Sequence, residues 1–502
     1  MKRGESIVLG EKNAAELAQY MRTTTNFAAI DPDDRQAEQT SLQETGRWLD
    51  SVDFGVDNDT RDQTVETERT VFKKYLGRLS IVAPSYYDTI EQIADSCPEM
   101  NEKCRITVNM PASFEAATIG TALGHMLLRK NDGKTELAQL QSTGEVLDPQ
   151  TYEVFICSNR AKGTASDGTN TAIHDFAERH KSVVNIMAVD VELDGSIANN
   201  GMARRLLHDV TVMRSLNRDN QAGKHFIAAE DADIDGYDPD ALDSYIKYLD
   251  THPDKSAVRM RTERNPIVLK EVPHVLIKHR FMTQLITILR SAPFRASVNP
   301  NYNFRFNRKV PSGYGTAFNT SDLIRAGGFP ISGSGTDLYL GEQLAVMRGT
   351  RMDGRVLPAG NTVGAVASTV VASPRREIVA YLNNVAMYDN GNFTNRATQD
   401  ITRQPIDNLI EQASNRNFND SRQWLQDQME QGLNRIVATA PSGEISDHSL
   451  RLLMTMIGFE KSDYLFEYSD GKLRLRVQSW DTVEYLSSRY KPSSRIQRAM
   501  HV

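Results

Sequence analysis

The chain has 502 residues, more than one hydrophobic core usually serves, so we expect roughly two or three structural units. Apolar residues make up 39% and charged residues 25%, which is typical of a soluble globular protein and excludes a disordered or fibrous one. The net charge of -7 gives no general attraction to phosphate backbones or anionic lipids, so nucleic acid is not an expected partner.

The cysteines and the hydropathy pattern indicate the compartment. Cys97, Cys104 and Cys157 are odd in number and lack metal-finger spacing, so we expect reduced thiols. No long apolar stretch follows MKRGESIVLG at residues 1–10, and no run approaches the roughly 20 apolar residues of a membrane span. These features predict a cytoplasmic protein with no transmembrane segment.

In chain order, a polar region with helical patches comes first and strand-helix units follow. Residues 1–100 are interrupted by acidic stretches and indicate a helical accessory region. From residue 105, RITVN is a short β-branched run, and FEAATIGTALGHMLL follows with its apolar residues at helical spacing. The same unit recurs as YEVFIC then TNTAIHDFAERH, SVVNIMAV then MARRLLHDVTVM, and HFIAA then DALDSYIKYL.

Four such units in succession predict an α/β fold with a mostly parallel, Rossmann-like sheet flanked by helices. In open sheets of this kind ligands bind beyond the carboxyl ends of the strands. We expect this domain to cover residues 101–385. Residues 386–502 contain further helical patterns and two alternating runs around Asp470-Gly471, which predict a helical C-terminal region with a β-hairpin.

The stretch FIAAEDADIDGYDPDAL, residues 226–242, crowds five aspartates after an apolar run. A calcium-loop template matches its first half but fails at its twelfth position, Leu242, where a bidentate carboxylate is required. Part of the cluster is explained by a solvated turn, in which Asp238 caps a helix that begins near Pro239. We expect Asp235 and Asp240 to belong to this turn.

The turn does not account for Asp231 and Asp233, which directly follow the apolar run where an inner strand should end. Two carboxylates at this spacing can share one divalent ion, which offsets their repulsion and presents positive charge to a diphosphate. We therefore expect this pair to have a role in binding a metal and a diphosphate.

Six motifs follow one another between residue 105 and about 375. They are ITVNMPASFEAATIGTAL, the Ser166-Asp167-Gly168-Thr169 turn, GMARR at residues 201–205, FIAAEDAD, SGYGTAFNTSDLIRAGGFP and GSGTDLYLGEQLA. In this order and spacing they resemble the family 2 glycosyltransferases and relatives that share the GT-A, or nucleotide-diphospho-sugar transferase, fold. The likeness covers a little over half of the chain.

The resemblance implies a metal-dependent glycosyltransferase that moves a sugar from a nucleoside-diphosphate sugar to a hydroxyl acceptor. It implies Asp231 and Asp233 as the Asp-x-Asp ligands of Mn²⁺ or Mg²⁺ and Asp337 as the catalytic carboxylate. The residues it implies for binding the nucleotide sugar are Pro111, Ala112, Glu115, Asn159, Asp167, Arg204, Asp231, Gly313 and Gly315. Arg205 is implied beside Arg204.

Each assignment has an ordinary structural alternative. Asp337 is also a favoured helix N-cap, the two arginines suit a solvated helix face, and Asp167 can stabilise its own Asp-Gly turn. The chain also departs from the family pattern. Thr336 precedes Asp337 where an acidic pair is usual, and no histidine lies between His279 and His448 to complete a metal shell.

Several functions remain open. Inverting transfer by single displacement follows if Asp337 is the general base, whereas retaining members, such as glycosyl-glycerate synthases, share the Asp-x-Asp and the Gly-rich loop. A nucleotidyltransferase favours a Gly-rich basic loop that NMPASFEAAT lacks. A catalytically degenerate binding or scaffold protein is the remaining alternative. The donor, a UDP- or GDP-sugar, and the acceptor stay undetermined, and the helical ends are candidates for homo-oligomer contacts.

Overall fold

A computed structural model of the chain describes most of the predicted core and both flanking regions. The described residues are 6–24, 68–131, 134–137, 139–181, 185–195, 197–218, 224–289, 311–331, 336–348, 350–352, 355–357, 362–384, 404–437, 447–469 and 472–500. They form two compact units. Unit 1 comprises Met1–Thr262, Lys309–Val371 and Arg498–Val502, and unit 2 comprises Glu263–Arg308 and Ala372–Gln497. None of the described helices has the length and apolarity that a membrane crossing requires.

The strands are β1 (Ile7–Leu9), β2 (Ile106–Ala112), β3 (Leu128–Asn131), β4 (Lys134–Leu137), β5 (Tyr152–Ala161), β6 (Ile186–Leu193), β7 (Phe226–Ala229), β8 (Ile234–Tyr237), β9 (Ala257–Arg264), β10 (Thr316–Asn319), β11 (Thr350–Met352), β12 (Arg355–Leu357), β13 (Val363–Ala372), β14 (Tyr464–Ser469) and β15 (Lys472–Val477).

The helices are α1 (Glu11–Thr24), α2 (Glu68–Val82), α3 (Pro84–Ser96), α4 (Ile119–Leu127), α5 (Thr169–His180), α6 (Asn200–Asn217), α7 (Ala241–Thr251), α8 (Pro266–Lys270), α9 (Pro273–Leu289), α10 (Thr320–Arg325), α11 (Thr336–Met347), α12 (Arg375–Leu382), α13 (Ile406–Ser414), α14 (Phe418–Val437), α15 (Asp447–Ile457), α16 (Asp481–Arg489) and α17 (Ser494–Ala499).

The predicted fold class is confirmed. The described residues contain a nine-stranded sheet with the order β1-β6-β5-β2-β7-β10-β9-β13-β8. Its first five strands pair in parallel, as in the register of Val108 with Val154 and Ala228. Strand β10 is antiparallel to both of its neighbours, β7 and β9. The sheet is therefore mostly parallel, as repeated strand-helix units require.

Alternating residues along the inner strands bury both faces of this sheet. In β5, Val154 and Ile156 belong to one apolar cluster, with residues of α4, α5 and α7. The intervening Phe155 and Cys157 belong to another, with residues of α2, α3 and α6. Successive side chains of a strand point to opposite faces, so helices cover the sheet on both sides. The three cysteines are free thiols.

The four predicted strand-helix units are present, and the fourth contains an additional strand. The predicted solvated turn was wrong for Asp235, which lies in β8 at Ile234–Tyr237, whereas residues 239–240 form a partly exposed turn as predicted. The predicted N-cap at Asp238 was also wrong, because α7 begins at Ala241 and Asp240 precedes it. Asp238 is instead buried, with its Oδ1 2.7 Å from Arg498 Nε, a partner that local sequence gives no sign of.

The N-terminal region contributes to the same unit. Strand β1 pairs in parallel with β6, and side chains of α2 and α3 share the cluster that contains Phe155. Unit 2 has its own apolar core, in which residues of α9, α13, α14 and α15 pack with the strand pair β14 and β15. Ser469 pairs with Lys472 in that antiparallel pair, as the hairpin prediction requires, although Asp470 and Gly471 lie outside the described residues. The predicted domain boundaries stay a prediction.

Candidate active site

The carboxyl ends of three parallel strands lie close together at one edge of the sheet. Strand β2 ends at Ala112, which lies opposite Ser158 of β5. Strand β7 pairs with the other side of β2 and ends at Ala229. Glu230 and Asp231 therefore follow β7 at the edge where ligands of open parallel sheets bind.

Asp231, Arg204 and Gly313 form one group at this edge. Arg204 is the fifth residue of α6, and its Nη2 donates a hydrogen bond of 2.5 Å to Asp231 Oδ1. The Arg204 side chain is 7% exposed and that of Asp231 is 16% exposed, so most of the pair is shielded from water. A Cβ on Gly313 would lie 3.2 Å from Arg204 Nη1, so the glycine allows the loop to approach the guanidinium closely.

Glu230 ties the same Gly-rich loop to the end of β7. The Gly315 N–H donates to Glu230 Oε2 over 2.8 Å, and the Tyr237 hydroxyl donates to Oε1 over 2.9 Å. Burial raises the pKa of the Glu230 carboxyl to about 8, even though both of these donors lower it. Gly315 has φ +64, and a Cβ there would lie 2.6 Å from Val370 Cγ1. Glycine is therefore required at this position.

Glu230 was not among the site residues predicted from the sequence. Its only sequence signal is an acid between the apolar run and Asp231, which is weak because the neighbouring aspartates obscure it. Consecutive side chains in extended backbone point in opposite directions. Glu230 contacts Gly315 and Tyr237, whereas Asp231 contacts Arg204. The two adjacent acids thus connect the end of β7 to the Gly-rich loop and to α6.

Glu115 and Asp167 belong to a second group, which joins the loops after β2 and β5. The Thr169 hydroxyl accepts a hydrogen bond from the Glu115 N–H over 2.9 Å, and Asp167 Oδ2 accepts from the Ala116 N–H over 3.2 Å. Asp167 Oδ1 also accepts from the Thr169 N–H over 3.0 Å. These contacts match the turn-stabilising alternative for Asp167. Its contact with the nucleotide stays a prediction.

Pro111, Ala112 and Asn159 lie at the strand ends beside this second group. Pro111 and Ala112 are the last residues of β2, and Asn159 follows Ser158 in β5. Asn159 is 8% exposed, and its Oδ1 finds no hydrogen-bond partner among the described residues. Buried polar atoms usually have a partner. The contact of Asn159 with the nucleotide stays a prediction.

Asp233 and Asp337 are both partly exposed and are positioned by different elements. Asp233 lies in the turn between β7 and β8. Asp337 is in the first turn of α11, where the helix dipole favours a carboxylate. Leu340 and Leu344 of that helix belong to the same apolar cluster as Ala229. The predicted Gly-Ser-Gly turn before the helix, at 333–335, lies outside the described residues.

Arg205 is a correction to the predicted nucleotide contacts. Its side chain is fully buried, donates 2.7 Å to Asp209 Oδ2 and 2.5 Å to the Gly327 carbonyl, and also bonds Tyr75. A Cβ on Gly328 would lie 2.9 Å from Arg205 Nη1. Consecutive residues of α6 point about 100° apart. Of the two arginines, only Arg204 therefore reaches the strand ends. Arg205 hydrogen-bonds the Gly327-Gly328 turn and Tyr75 of α2.

The chemistry of these residues fits a divalent cation that also takes ligands from a substrate. No group of three or more metal-binding side chains lies together in the described part of the chain. Magnesium-type ions are commonly held by one or two carboxylates, with phosphate oxygens and water completing the shell. Asp231 and Asp233 supply hard oxygen donors of this kind.

None of the protein-family models compared with the chain matches it, and no curated protein matches it. Among the solved structures that it matches is mannosyl-3-phosphoglycerate synthase from Rubrobacter xylanophilus. That match has 10% sequence identity and a TM-score of 0.25, and it covers 77% of this chain and 91% of that chain.

Proposed function

We propose that this chain is a metal-dependent glycosyltransferase that moves a sugar from a nucleoside-diphosphate sugar to a hydroxyl acceptor. The observation that carries the proposal is the pair of the buried Arg204 with the partly exposed Asp231 beside Gly313, at the carboxyl end of β7. This arrangement places the guanidinium of Arg204 beside an Asp-x-Asp sequence and a glycine loop, at the edge of a parallel sheet where ligands bind.

The donor's diphosphate would bind between Arg204 and the Gly-rich loop. A guanidinium is suited to phosphate because it offers N–H donors in a planar fork. Gly313 lies close to this fork and has no side chain that would displace it, and Gly315 is held by Glu230, so the loop is positioned before the donor arrives. Positioning in advance lowers the entropic cost of binding.

The donor's base and ribose would lie towards the second group, over the ends of β2 and β5. Asn159 offers an unpaired acceptor there, and Asp167 and Glu115 fix the loops around it. UDP- and GDP-sugars are the proposed donors.

The cation, Mn²⁺ or Mg²⁺, would be held at the Asp-x-Asp turn. When bound, it would act as a Lewis acid that neutralises the departing diphosphate. Asp233 would face this cation from the turn before β8. Arg204 would neutralise the same leaving group from the side of α6.

Asp337 is the proposed general base. A partly exposed carboxylate in a helix first turn can accept the proton of the attacking hydroxyl as the new glycosidic bond forms. Direct attack by the acceptor on the anomeric carbon, with departure of the nucleoside diphosphate, inverts the configuration.

The first test is a thermal-shift screen of UDP-, GDP-, ADP- and TDP-sugars with and without Mn²⁺. A ligand that binds only the native state raises the melting temperature by mass action. We expect stabilisation by one donor and slow release of its nucleoside diphosphate. Absence of both stabilisation and hydrolysis across the panel would overturn the proposal.

The second test concerns Asp337. Asp337→Asn is expected to bind the donor as the wild type does and to reduce transfer by a factor of about 100 or more, because the proton acceptor is lost. Unchanged transfer would remove Asp337 from the mechanism. Proton NMR of the product, once an acceptor is known, distinguishes inverting from retaining transfer.

A further inference from the structure

We propose that Asp209 and Arg205 are positioning residues, which hold helix α11 and its Asp337 in place for sugar transfer without contacting the substrate. The inference rests on the proposed function, because that function gives Asp337 its role. It adds a role for two buried side chains of α6 and for the N-terminal helices α2 and α3 that contact them.

Asp209 is fully buried and lies at the centre of a network of polar side chains. Its Oδ1 accepts a hydrogen bond from the Tyr75 hydroxyl over 2.6 Å and lies 2.7 Å from His208 Nδ1. Its Oδ2 accepts from the Tyr86 hydroxyl over 2.9 Å and from Arg205 Nε over 2.7 Å. Tyr75 belongs to α2 and Tyr86 to α3. The two oxygens of one carboxylate thus join α6 to both N-terminal helices.

The network keeps Asp209 ionised. Burial raises the pKa of its carboxyl, but Arg205 and His208 outweigh burial and lower that pKa to about 2. Burial lowers the pKa of the His208 ring, so the ring is neutral at pH 7 and donates its Nδ1–H to Asp209. The buried charges of Asp209 and Arg205 therefore compensate each other, and removing either leaves the other without compensation, which is costly.

Arg205 connects this network to the Gly-Gly turn that follows α10. Its Nη1 donates to the Gly327 carbonyl over 2.5 Å and to the Phe329 carbonyl over 3.3 Å. Gly327 and Gly328 have φ +94 and +78, and a Cβ on Gly328 would lie 2.9 Å from Nη1. The guanidinium thus fixes the backbone on both sides of Gly328.

Phe329 connects the turn to α11. Its ring packs edge-to-face against Phe318 of β10, with ring centroids 5.5 Å apart. Phe329 also belongs to one apolar cluster with Leu340 and Leu344 of α11. Asp337 lies in the first turn of the same helix. Because packed interiors transmit strain, a shift of the turn should move α11 and its carboxylate.

A general base acts only when its carboxylate lies within hydrogen-bond reach of the attacking hydroxyl, and a misplacement of about 1 Å can cost about 100-fold in rate. The donor contacts proposed above come from Arg204 and the strand ends, whereas Arg205 bonds the Gly-Gly turn. Loosening the network should therefore slow the reaction and leave donor binding nearly unchanged. A purely structural role would lower stability alone.

A second buried ion pair on α6 provides the matched control. Arg214 Nη1 lies 2.6 Å from Glu153 Oε1, with side chains that are 3% and 1% exposed. Glu153 is the second residue of β5, at the amino edge of the sheet, whereas the proposed site lies at the carboxyl edge. Asp209→Asn and Glu153→Gln each neutralise a buried carboxylate beside an arginine, so both should lower the melting temperature.

The test compares these two variants at a temperature at which circular dichroism shows both to be folded. Hydrogen exchange followed by mass spectrometry measures the protection of residues 336–347. Initial rates of donor hydrolysis, in which water replaces the acceptor, give kcat and the donor KM.

We expect Asp209→Asn to raise amide exchange in residues 336–347 about tenfold and to lower kcat about tenfold, with the donor KM within about threefold of the wild type. Arg205→Lys keeps the charge but loses the planar fork, so it should show the same pattern. Glu153→Gln should keep the wild-type exchange of α11 and the wild-type kcat. Asp209→Asn/Asp337→Asn should be no slower than Asp337→Asn, because residues that act through one another are not additive.

Three results would overturn the inference: equal exchange of α11 in Asp209→Asn and Glu153→Gln, equal kcat in these two variants, or additive losses in the double variant. If Asp209→Asn does not fold, Tyr86→Phe replaces it and should lower kcat about threefold by removing one hydrogen bond to Asp209. Its control is Tyr152→Phe, since the buried Tyr152 hydroxyl has no hydrogen-bond partner among the described residues. Equal kcat in Tyr86→Phe and Tyr152→Phe would also overturn the inference.

The two kinds of measurement separate this inference from the proposed function. A wild type that hydrolyses no donor would refute the proposed function. The exchange of α11 would still decide whether Asp209 and Arg205 position that helix, because it requires no activity.

Discussion

The two ends of the acidic stretch from Glu230 to Asp240 are alike in composition and differ in what approaches them. At the first end, Asp231 bonds Arg204 of α6 beside the Gly-rich loop. At the second end, Asp238 is 1% exposed and pairs with Arg498, which lies 260 positions along the chain (498 minus 238).

The two Asp–Arg pairs differ in their place in the sheet. The first pair lies where β2, β5 and β7 end, at the edge where ligands of open parallel sheets bind, and Gly313 lies close to its arginine. The second lies beside β8, the last strand in the sheet order, where residues 498–500 fill the space. The first end should therefore control donor binding and the second should control stability.

The largest expected effect comes from removing one carboxylate at the first end. Asp233→Ala should reduce Mn²⁺-dependent hydrolysis of the donor by a factor of about 100 or more, because the cation that stabilises the leaving group is lost. Asp235→Ala, two positions on and within β8, is the matched control and should hydrolyse the donor at the wild-type rate. Equal losses in the two variants would remove the distinction between the two ends.

Substitution of Gly236, at the second end, should change stability and leave donor binding unchanged, whereas substitution of Gly313, at the first end, should do the opposite. A Cβ on Gly236 would lie 2.9 Å from the Ala499 carbonyl oxygen and from Met500 Cγ, so Gly236→Ala should destabilise unit 1 by about 1–3 kcal/mol. Its donor KM should be unchanged. Gly313→Ala would instead press on the flexible end of Arg204 at 3.2 Å.

For Gly313→Ala we expect a donor KM about tenfold higher, with the guanidinium displaced from its phosphate, and little change in melting temperature. Urea unfolding and initial rates on the same preparations measure both quantities. The comparison fails if Gly313→Ala loses stability and keeps its KM.

Arg498→Ala should lower the free energy of unfolding by about 1–2 kcal/mol, somewhat less than Gly236→Ala. The effect is limited because this arginine is 53% exposed, although Asp238 is buried. Burial raises the pKa of the Asp238 carboxyl, and Arg498 lowers it. A carboxyl whose folded pKa is raised favours the protonated form, so its contribution to stability falls as pH rises through that pKa.

Arg498→Ala should therefore lose more stability at pH 8 than at pH 5, as measured by thermal unfolding at both values. Asp238→Asn/Arg498→Ala should recover part of the loss because no charge remains buried. A pH-independent loss would show that Arg498 acts only through packing.

The smallest expected effect concerns a hydroxyl at the second end. Ser368 Oγ donates 3.0 Å to Asp240 Oδ1, and Ser368→Ala should cost about 0.5–1 kcal/mol, the usual net value of one hydrogen bond. Ser80→Ala, which removes an exposed hydroxyl bonded to the Gly77 carbonyl, is the control and should cost less. Arg498 Nη2 also lies 3.2 Å from Asp240 Oδ1, and a Ser368→Ala loss no larger than the control would mean that this ion pair holds Asp240 without Ser368.

The sequence by itself determined the repeating strand-helix units and predicted the edge of the sheet at which a ligand site would lie. Hydrophobic period and turn residues are local properties, so RITVN, YEVFIC, SVVNIMAV and HFIAA were recognisable as strands that lead to helices. The rule for open parallel sheets then directed attention to the residues after those strands, including Asn159, Asp167 and Asp231.

Only the tertiary structure decided which of these residues meet. Glu230 gained Gly315 from 85 positions away (315 minus 230), and Asp238 gained Arg498 in place of a helix N-terminus. Arg204 and Arg205, adjacent in sequence, have separate partners: Arg204 contacts Asp231, and Arg205 is buried against the Gly327 carbonyl. The physical reason is that a charge's role depends on its burial and on its partners, and both are set by segments brought together from distant parts of the chain.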